Sequence, residues 1–337
     1  MMKSVVCSKP GSLLIQDIAR PVDKPGHVIV KIKRIGICGT DIHAFGGNQP
    51  FFNYPRVLGH ELSGEIESVG EGVELSAGQN VYIIPYMYCG ECAACQRGKT
   101  NCCSDIQVLG VHVDGGMCEY LQVPQQYVIV ANDIDLDQLA VVECLAIGAH
   151  AVRRAKLEKG STVLVVGAGP IGMGIMQFAK VAGAKVFVMD TNTERLAFCK
   201  SALAVDEVIE VNAQSREQLS VLTNGNFIDT VFDATGNPKA MEAGFELVAH
   251  GGTYVLVSVV KGNISFVDPE FHKREMTLMG SRNATREDFE HVVSCMHSGA
   301  VKAQSMITHR ANLIELPDLL GQWSLPQTGV IKAVVEV

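Results

Sequence analysis

The chain has one tryptophan, few aromatic residues (6%) and no run of basic residues. Without clustered lysine and arginine there is no footprint for nucleic-acid phosphates, so nucleic acid is excluded as a partner. Long uninterrupted apolar runs are missing as well. The richest, from Val163 to Met189, is broken by glycines and by Lys180 and Lys185, which fits a buried strand and helix and excludes a membrane span. The N-terminal MMKSVVCSKPGSLLIQDIARP has no sustained apolar segment leading to a small-residue cleavage site. The mature chain is therefore expected to start near Met1 and to stay in the cytoplasm. Internal repeats, low-complexity tracts and linker-like stretches are lacking too. What is present is a chain of 337 residues, 47% of them hydrophobic, with a net charge of −8. It can bury a large core and exceeds the size at which single cores tend to split, so two domains are expected.

Eleven cysteines are many for a reducing compartment unless several bind metal. Cys89, Cys92, Cys95 and Cys103 follow a C-x2-C-x2-C-x7-C spacing, short enough to fold successive thiolates around one ion. Gly90 and Gly98 permit the tight turns this needs. The arrangement points to a structural zinc; four unligated thiols in a polar loop are the alternative, and Cys102 is an alternative fourth ligand. Cys7, Cys118, Cys144, Cys199 and Cys295 read as small buried side chains.

Two regimes follow one another along the chain. From Lys3 to about Val130, short β-rich runs such as HVIVKIKRIGI, LSGEIESVG and NVYIIPY alternate with Gly and Pro, as in a small β-barrel or sandwich. After about Ile147 strand and helix alternate, with further strands expected at Glu207–Glu210, Thr230–Ala234, Thr253–Val259 and Thr277–Gly280, giving a doubly wound parallel sheet. Gly167-x-Gly169-x-x-Gly172 directly follows the apolar strand ending at Val166 and opens a helix through Pro170 and Ile171. Such glycines allow a tight turn and a close approach of backbone to pyrophosphate at a helix N-terminus. Asp190, eighteen residues past Gly172, is placed to accept hydrogen bonds from ribose hydroxyls and to repel a 2′-phosphate, and Arg195 lies about one helical turn further on. NAD is favoured over NADP; a flavodoxin-like or non-binding Rossmann domain is the alternative.

The tract GICGTDIHAFGGNQPFFNYPRVLGHE, from Gly36 to Glu61, puts a thiolate (Cys38), an imidazole (His60) and a carboxylate (Glu61) where one metal ion can collect them. Three protein ligands that leave zinc an open position are the arrangement of a catalytic site. Thr40 and His43 follow closely and are candidates to carry protons. In the plainer reading, Cys38 is a buried thiol, His60 a hydrogen-bonded core histidine, Thr40 bonds backbone and His43 is an exposed loop residue.

A catalytic-zinc pattern, a four-cysteine lobe and a dinucleotide fold in this order resemble the zinc-containing medium-chain dehydrogenases, the family of alcohol, sorbitol and threonine dehydrogenases. The resemblance covers essentially the whole chain. It implies an α/β chain with a GroES-like β-barrel catalytic domain over 1–146, an inserted Rossmann coenzyme domain over 147–283 and a return to the catalytic domain over 284–337. It implies two zinc ions per chain, with Glu143 as a further carboxylate that binds the catalytic metal or lines its open side. Many relatives have proline after that glutamate, where this chain has Cys144. It also implies a proton relay from Thr40 through the coenzyme ribose to His43, with Val257, Ser281 and Asn283 near the nicotinamide. Zinc in such a site lowers the pKa of a substrate hydroxyl, and the nicotinamide accepts hydride. Dimers or tetramers of identical chains are usual.

Further tracts, GGNQPFFNYPRVLGHE, GKTNCC, GVHVDGG, AHAVRR, DPEFHK and MGSRNAT, are similar to the sugar-acid dehydrogenases of that family. They imply oxidation of the C5 hydroxyl of L-galactonate to D-tagaturonate. Polyols (sorbitol, xylitol, galactitol 1-phosphate) and L-threonine remain open as substrates. A sugar acid asks for a cation or oriented donors opposite the zinc, and Asn48, Gln49, Arg56 and His112 are the candidates. Each also has a structural reading: an ion pair for Arg56, a structural hydrogen bond for His112, a turn for Asn48 and Gln49. A zinc-poor quinone reductase and a non-enzymatic zinc-ribbon protein fit less well, since both metal constellations and Asp190 are retained together.

Overall fold

Among the described residues the β-branched and aliphatic runs form eighteen strands. The computed structural model describes residues 1–49 and 52–337; Pro50 and Phe51, inside the GGNQPFFNYPRVLGHE tract, lie outside the described residues. In chain order the strands are β1 (Met2–Lys9), β2 (Ser12–Ile18), β3 (His27–Ile37), β4 (Arg56–Val57), β5 (Glu61–Val69), β6 (Asn80–Ile83), β7 (Tyr86–Met87), β8 (Gln107–Val108), β9 (Tyr120–Pro124), β10 (Val128–Val130), β11 (Thr162–Val166), β12 (Lys185–Asp190), β13 (Glu207–Glu210), β14 (Ile228–Asp233), β15 (Val248–Leu256), β16 (Thr277–Gly280), β17 (Ile307–Asn312) and β18 (Lys332–Glu336). The chain divides into two units, Met1–Cys144 with Ala303–Val337, and Leu145–Lys302.

In the first unit the main sheet runs β10-β6-β5-β3-β18-β17, with β9 also pairing β3. The eleven-residue β3 organises it, pairing antiparallel with β5, β9 and β18. Val28, Val30, Ile32, Ile35 and Ile37 of β3 are buried with Leu62 and Ile66 of β5, Val81 and Ile83 of β6, and Ala333 and Val335 of β18. Each fully buried aliphatic side chain of this kind contributes roughly 1.5–3 kcal/mol, which fixes the strand register firmly. Because β18 lies beside β3, the last residues of the chain complete a sheet begun near its start.

The second unit is a parallel sheet in the order β13-β12-β11-β14-β15-β16. Val163 to Val165, Val186 to Val188 and Val231 to Phe232 are fully buried, as expected of strands covered on both faces. Strand order reverses between β11 and β14, and in open sheets of this type a ligand binds outside the carboxyl ends of the strands at that point.

The unit boundaries differ from those expected at 146/147 and 283/284. The residues from 284 to 302 stay with the second unit, where Asp288, at the start of the helix Arg286–His297, is tied to the helix Val142–Ala155 by His150 (2.8 Å) and Arg153 (2.6 Å). No described helix is long and apolar enough to cross a membrane.

Candidate active site

Cys38 ends the extended backbone after β3 and caps the helix Gly39–Phe45. Its sulfur accepts the Thr40 amide at 3.4 Å, while its own amide donates to Asp41 Oδ2 at 3.0 Å, so Asp41 completes a capping box in which a thiol replaces the usual hydroxyl. The second oxygen of the buried Asp41 accepts the Gly59 amide at 3.1 Å and stands 3.7 Å from His60 Nδ1. One carboxylate thus fixes both the segment bearing Cys38 and the segment bearing His60. Cys38, His60 and Glu61 each bring a ligand atom within 4.8 Å of the others.

The electrostatics favour a cation there. His60 is buried and its Nδ1 has no hydrogen-bond partner among the described residues. Burial opposes a charge on its ring, yet Asp41 and then Cys38 outweigh burial and hold the imidazole well above its ordinary value. Glu143, in the first turn of the helix Val142–Ala155, is buried too, and burial pushes its carboxyl up to about 7. One of its oxygens accepts the Tyr86 hydroxyl; the other, Oε2, has no partner. A desolvated carboxylate oxygen left unpaired beside a thiol and an imidazole is the donor set of a catalytic zinc, so the residues fit the metal. Glu143 does not itself fall within the 4.8 Å cluster. Glu61 does, but both its oxygens are bound by the buried Lys332 ammonium, at 2.6 and 2.8 Å.

Thr40 and His43 lie three residues apart on the helix Gly39–Phe45, hence on neighbouring positions of one face, with Thr40 half-buried and His43 exposed.

Cys89, Cys92, Cys95 and Cys103 form the second cluster, again with ligand atoms within 4.8 Å of one another, and Cys102 is not part of it. Gly90 (φ 81°) and Gly98 (φ 72°) adopt the left-handed conformation the lobe's turns require. Backbone amides face the sulfurs: Cys89 N donates to Cys103 Sγ at 3.3 Å, and Asp105 N to the same sulfur at 3.4 Å. The amides of Cys95 and Ser104 pull the Cys92 thiol down to about 5, whereas burial and then the neighbouring thiols push Cys95 up to about 12. Four closely set sulfurs with amide donors that favour thiolate fit a closed, structural zinc site.

In the second unit the glycine loop forms between β11 and the helix Pro170–Val181, with Gly169 as N-cap, Pro170 in the first turn and Ile171 beside it. Gly167 has φ 103°, and a Cβ on Gly172 would stand 1.9 Å from the Gly167 carbonyl oxygen, so neither position tolerates a side chain. Asp190 ends β12, and its two oxygens accept the Ala168 amide at 2.5 Å and the Asn192 amide at 2.7 Å. It therefore braces the loop. Arg195 is half-buried in the helix Thr193–Ala202, its amide bonded to Asn192. Val257 follows β15 and Ser281 follows β16, at carboxyl ends of the sheet. Ser281 Oγ and Asn283 Nδ2 are buried without partners, and Asn283 holds φ 52°; two unsatisfied polar groups suit a polar ligand.

Of the residues expected to meet a substrate carboxylate, Arg56 and His112 have structural partners, although Arg56 Nε is buried without one among the described residues. Arg56 Nη1 binds Asp114 at 3.1 Å, and His112 Nδ1 accepts the Val108 amide at 3.1 Å. Asn48 and Gln49 follow the turn after the helix Gly39–Phe45, with the Asn48 amide on the His43 carbonyl at 2.8 Å. Sequence reasoning missed three residues that the structure brings to the metal site: Asp41, Tyr86 and Lys332. Only Asp41 left a signal, as the acid three positions after a helix-capping residue.

Comparison with known proteins agrees with this geometry. Residues 24–133 match the family model for the alcohol dehydrogenase GroES-like domain, and residues 170–298 match that for zinc-binding dehydrogenases. The chain is 46% identical to L-galactonate-5-dehydrogenase of Escherichia coli K12 over 336 residues, covering 99% of this chain and 98% of that one. Among solved structures it is similar to an alcohol dehydrogenase of E. coli CFT073 complexed with NADH (TM-score 0.93, 32% identity, 100% and 99% of the two chains covered). It is also similar to L-idonate 5-dehydrogenase of E. coli (TM-score 0.91, 25% identity, 100% and 98% covered).

Proposed function

The chain belongs to the zinc-binding alcohol dehydrogenase family and is a dehydrogenase, and from that premise we propose that it carries out NAD-linked oxidation of a secondary hydroxyl of a sugar acid, namely the C5 hydroxyl of L-galactonate, yielding D-tagaturonate. The observation that carries the chemistry is the donor set of the first unit, in which Cys38 and His60 converge and the buried Glu143 keeps one oxygen without a partner; the likeness to L-galactonate-5-dehydrogenase supports the substrate.

When bound, zinc supplies a Lewis acid that favours loss of the substrate hydroxyl proton, and the nicotinamide of NAD takes the hydride. The chain's own residues do the rest. Cys38, His60 and a buried carboxylate hold the metal. Cys89, Cys92, Cys95 and Cys103 hold a second zinc that maintains the lobe. Thr40 accepts the hydroxyl proton as it gives up its own, and His43, one helical turn on and exposed, passes a proton on to solvent. The Gly167–Gly172 loop offers free amides to the pyrophosphate, and Asp190 accepts from the adenosine ribose. Ser281 and Asn283 orient the nicotinamide end. A cytoplasmic setting and a homodimer or homotetramer complete the reading.

The test is coenzyme reduction with L-galactonate, related aldonates, sorbitol, xylitol, galactitol 1-phosphate and L-threonine, compared as kcat/KM. L-Galactonate is expected to lead. Neutral polyols or threonine outperforming every aldonate would overturn the sugar-acid reading while leaving the dehydrogenase assignment intact.

A further inference from the structure

The buried ion pair between Lys332 and Glu61 is a feature of the metal site that zinc ligation alone does not call for. It spans three adjacent strands, in the order β5-β3-β18. Glu61 opens β5 and pairs with Gly36 of β3, and Gly36 pairs in turn with Val334 of β18. Lys332, the first residue of β18, reaches across β3 to Glu61. Gly36 makes the crossing possible: a Cβ there would stand 2.1 Å from Glu61 Oε2 and 2.7 Å from the Ala140 carbonyl oxygen. The ammonium is fully spent. Its three donors meet Glu61 Oε1 at 2.6 Å, Glu61 Oε2 at 2.8 Å and the Ile37 carbonyl at 3.1 Å, and both side chains are buried.

The second carboxylate is arranged the opposite way. Glu143 is oriented through one oxygen by Tyr86 and keeps Oε2 unpartnered. We propose that Lys332 is a positioning residue that decides which carboxylate the catalytic-site metal takes, pinning Glu61 as its own counter-charge and leaving Glu143 to the metal.

The inference rests on the zinc reading above, and charge balance supports it. A divalent ion with Cys38 as thiolate, Glu143 as carboxylate and His60 neutral is electrically neutral, and so is the Lys332–Glu61 pair. Moving Glu61 onto the metal would strand a buried ammonium without its anion, the costly outcome for a desolvated charge. It would also fill the position that a catalytic site keeps open. With Glu61 held back, three protein ligands remain and one position stays free.

The test uses the full chain, reading zinc content, the rate at which a chelator extracts the catalytic-site zinc, and the visible absorption of the cobalt-substituted protein. Glu143→Gln should speed extraction by at least about 10- to 100-fold, the range already reached on losing a partner one shell further out, and shift the cobalt bands. Glu61→Gln should leave the bands close to those of the wild type. Lys332→Met releases Glu61 to the metal, so extraction should slow and the bands should shift. The double variant Lys332→Met/Glu61→Gln should return both to wild-type values. Cobalt bands that move with Glu61→Gln and not with Glu143→Gln would overturn the inference whether or not the Lys332 variants fold. Wild-type protein holding two zinc ions with unchanged bands in Lys332→Met would overturn the inference alone. Wild-type protein with no zinc among Cys38, His60 and the two glutamates would overturn the zinc reading and this inference with it.

Discussion

Replacing Asp190 by alanine tests two roles of one carboxylate at once. The side chain accepts the Ala168 amide at 2.5 Å and the Asn192 amide at 2.7 Å, so its loss loosens the glycine loop as well as removing a negative charge. Hydrogen bonds to a charged acceptor are worth about 1.5–3 kcal/mol each when well buried. Asp190 is half-exposed and freed amides regain water, so about 1–2 kcal/mol for the pair is the sounder figure, a factor of roughly 5–30. NAD kcat/KM should fall by that factor through poorer loop order. The expected repulsion of a 2′-phosphate disappears in the same variant, so the preference for NAD over NADP should shrink by tenfold or more, about 1.4 kcal/mol per tenfold. The assay is steady-state kcat/KM with both coenzymes for wild type, Asp190→Ala and Asp190→Asn. Asparagine keeps one acceptor for the loop but no charge, so it should recover part of the NAD loss and none of the discrimination. Equal use of both coenzymes by the wild type, or an unchanged ratio in Asp190→Ala, would refute the reasoning.

Elemental analysis of protein purified without chelator should give two zinc ions per chain; Cys103→Ser should lower folding stability, because structural zinc binding is largely folding free energy, whereas Cys38→Ser should abolish turnover in a folded protein. Thr40→Ala and His43→Ala should each lower kcat by roughly 100-fold where proton transfer limits the rate, with zinc content intact; unchanged turnover of both from about pH 6 to about pH 9 removes them from the mechanism. Asp288 gives the pH dependence of stability. Burial works against its charge, but His150, Arg153 and the Thr285 amide outweigh burial and hold it well below the usual carboxylate range. Its contribution is therefore present above the unfolded-state value near 3.9 and is lost as pH falls below it, so Asp288→Asn should flatten the acid side of a Tm-against-pH profile and leave the alkaline side unchanged in shape.

The second unit was the more legible in sequence, for a physical reason. Its parallel strands are buried on both faces and read as continuous apolar runs, and the glycine turn sits directly between one such run and a helix. The strands expected at Glu207–Glu210 and Thr277–Gly280 are β13 and β16 to the residue. The C-terminal limit was less legible, because nothing local marks where the chain leaves a unit. The helix Arg286–His297 stays with the second unit through contacts of Asp288 with His150 and Arg153, residues more than 130 positions away.

The same rule orders the metal sites. The four-cysteine lobe was readable because its ligands lie within fifteen residues, where spacing alone constrains geometry. Cys38, His60 and Glu61 were readable as a group because they flank one loop. Glu143 required a resemblance, since nothing near it in sequence announces a metal. Lys332 was invisible: it lies in IKAVVEV, where a lysine at the start of a terminal strand reads as a solvated end, and its partner Glu61 is 271 positions away. What brings them together is sheet order, with β18 entering beside β3, and the absence of a side chain at Gly36. Residues that ligate a metal must be of particular chemical types and so leave a trace in composition. Those that decide how the ligands are used need only be near them, and nearness across a sheet is a property of the fold.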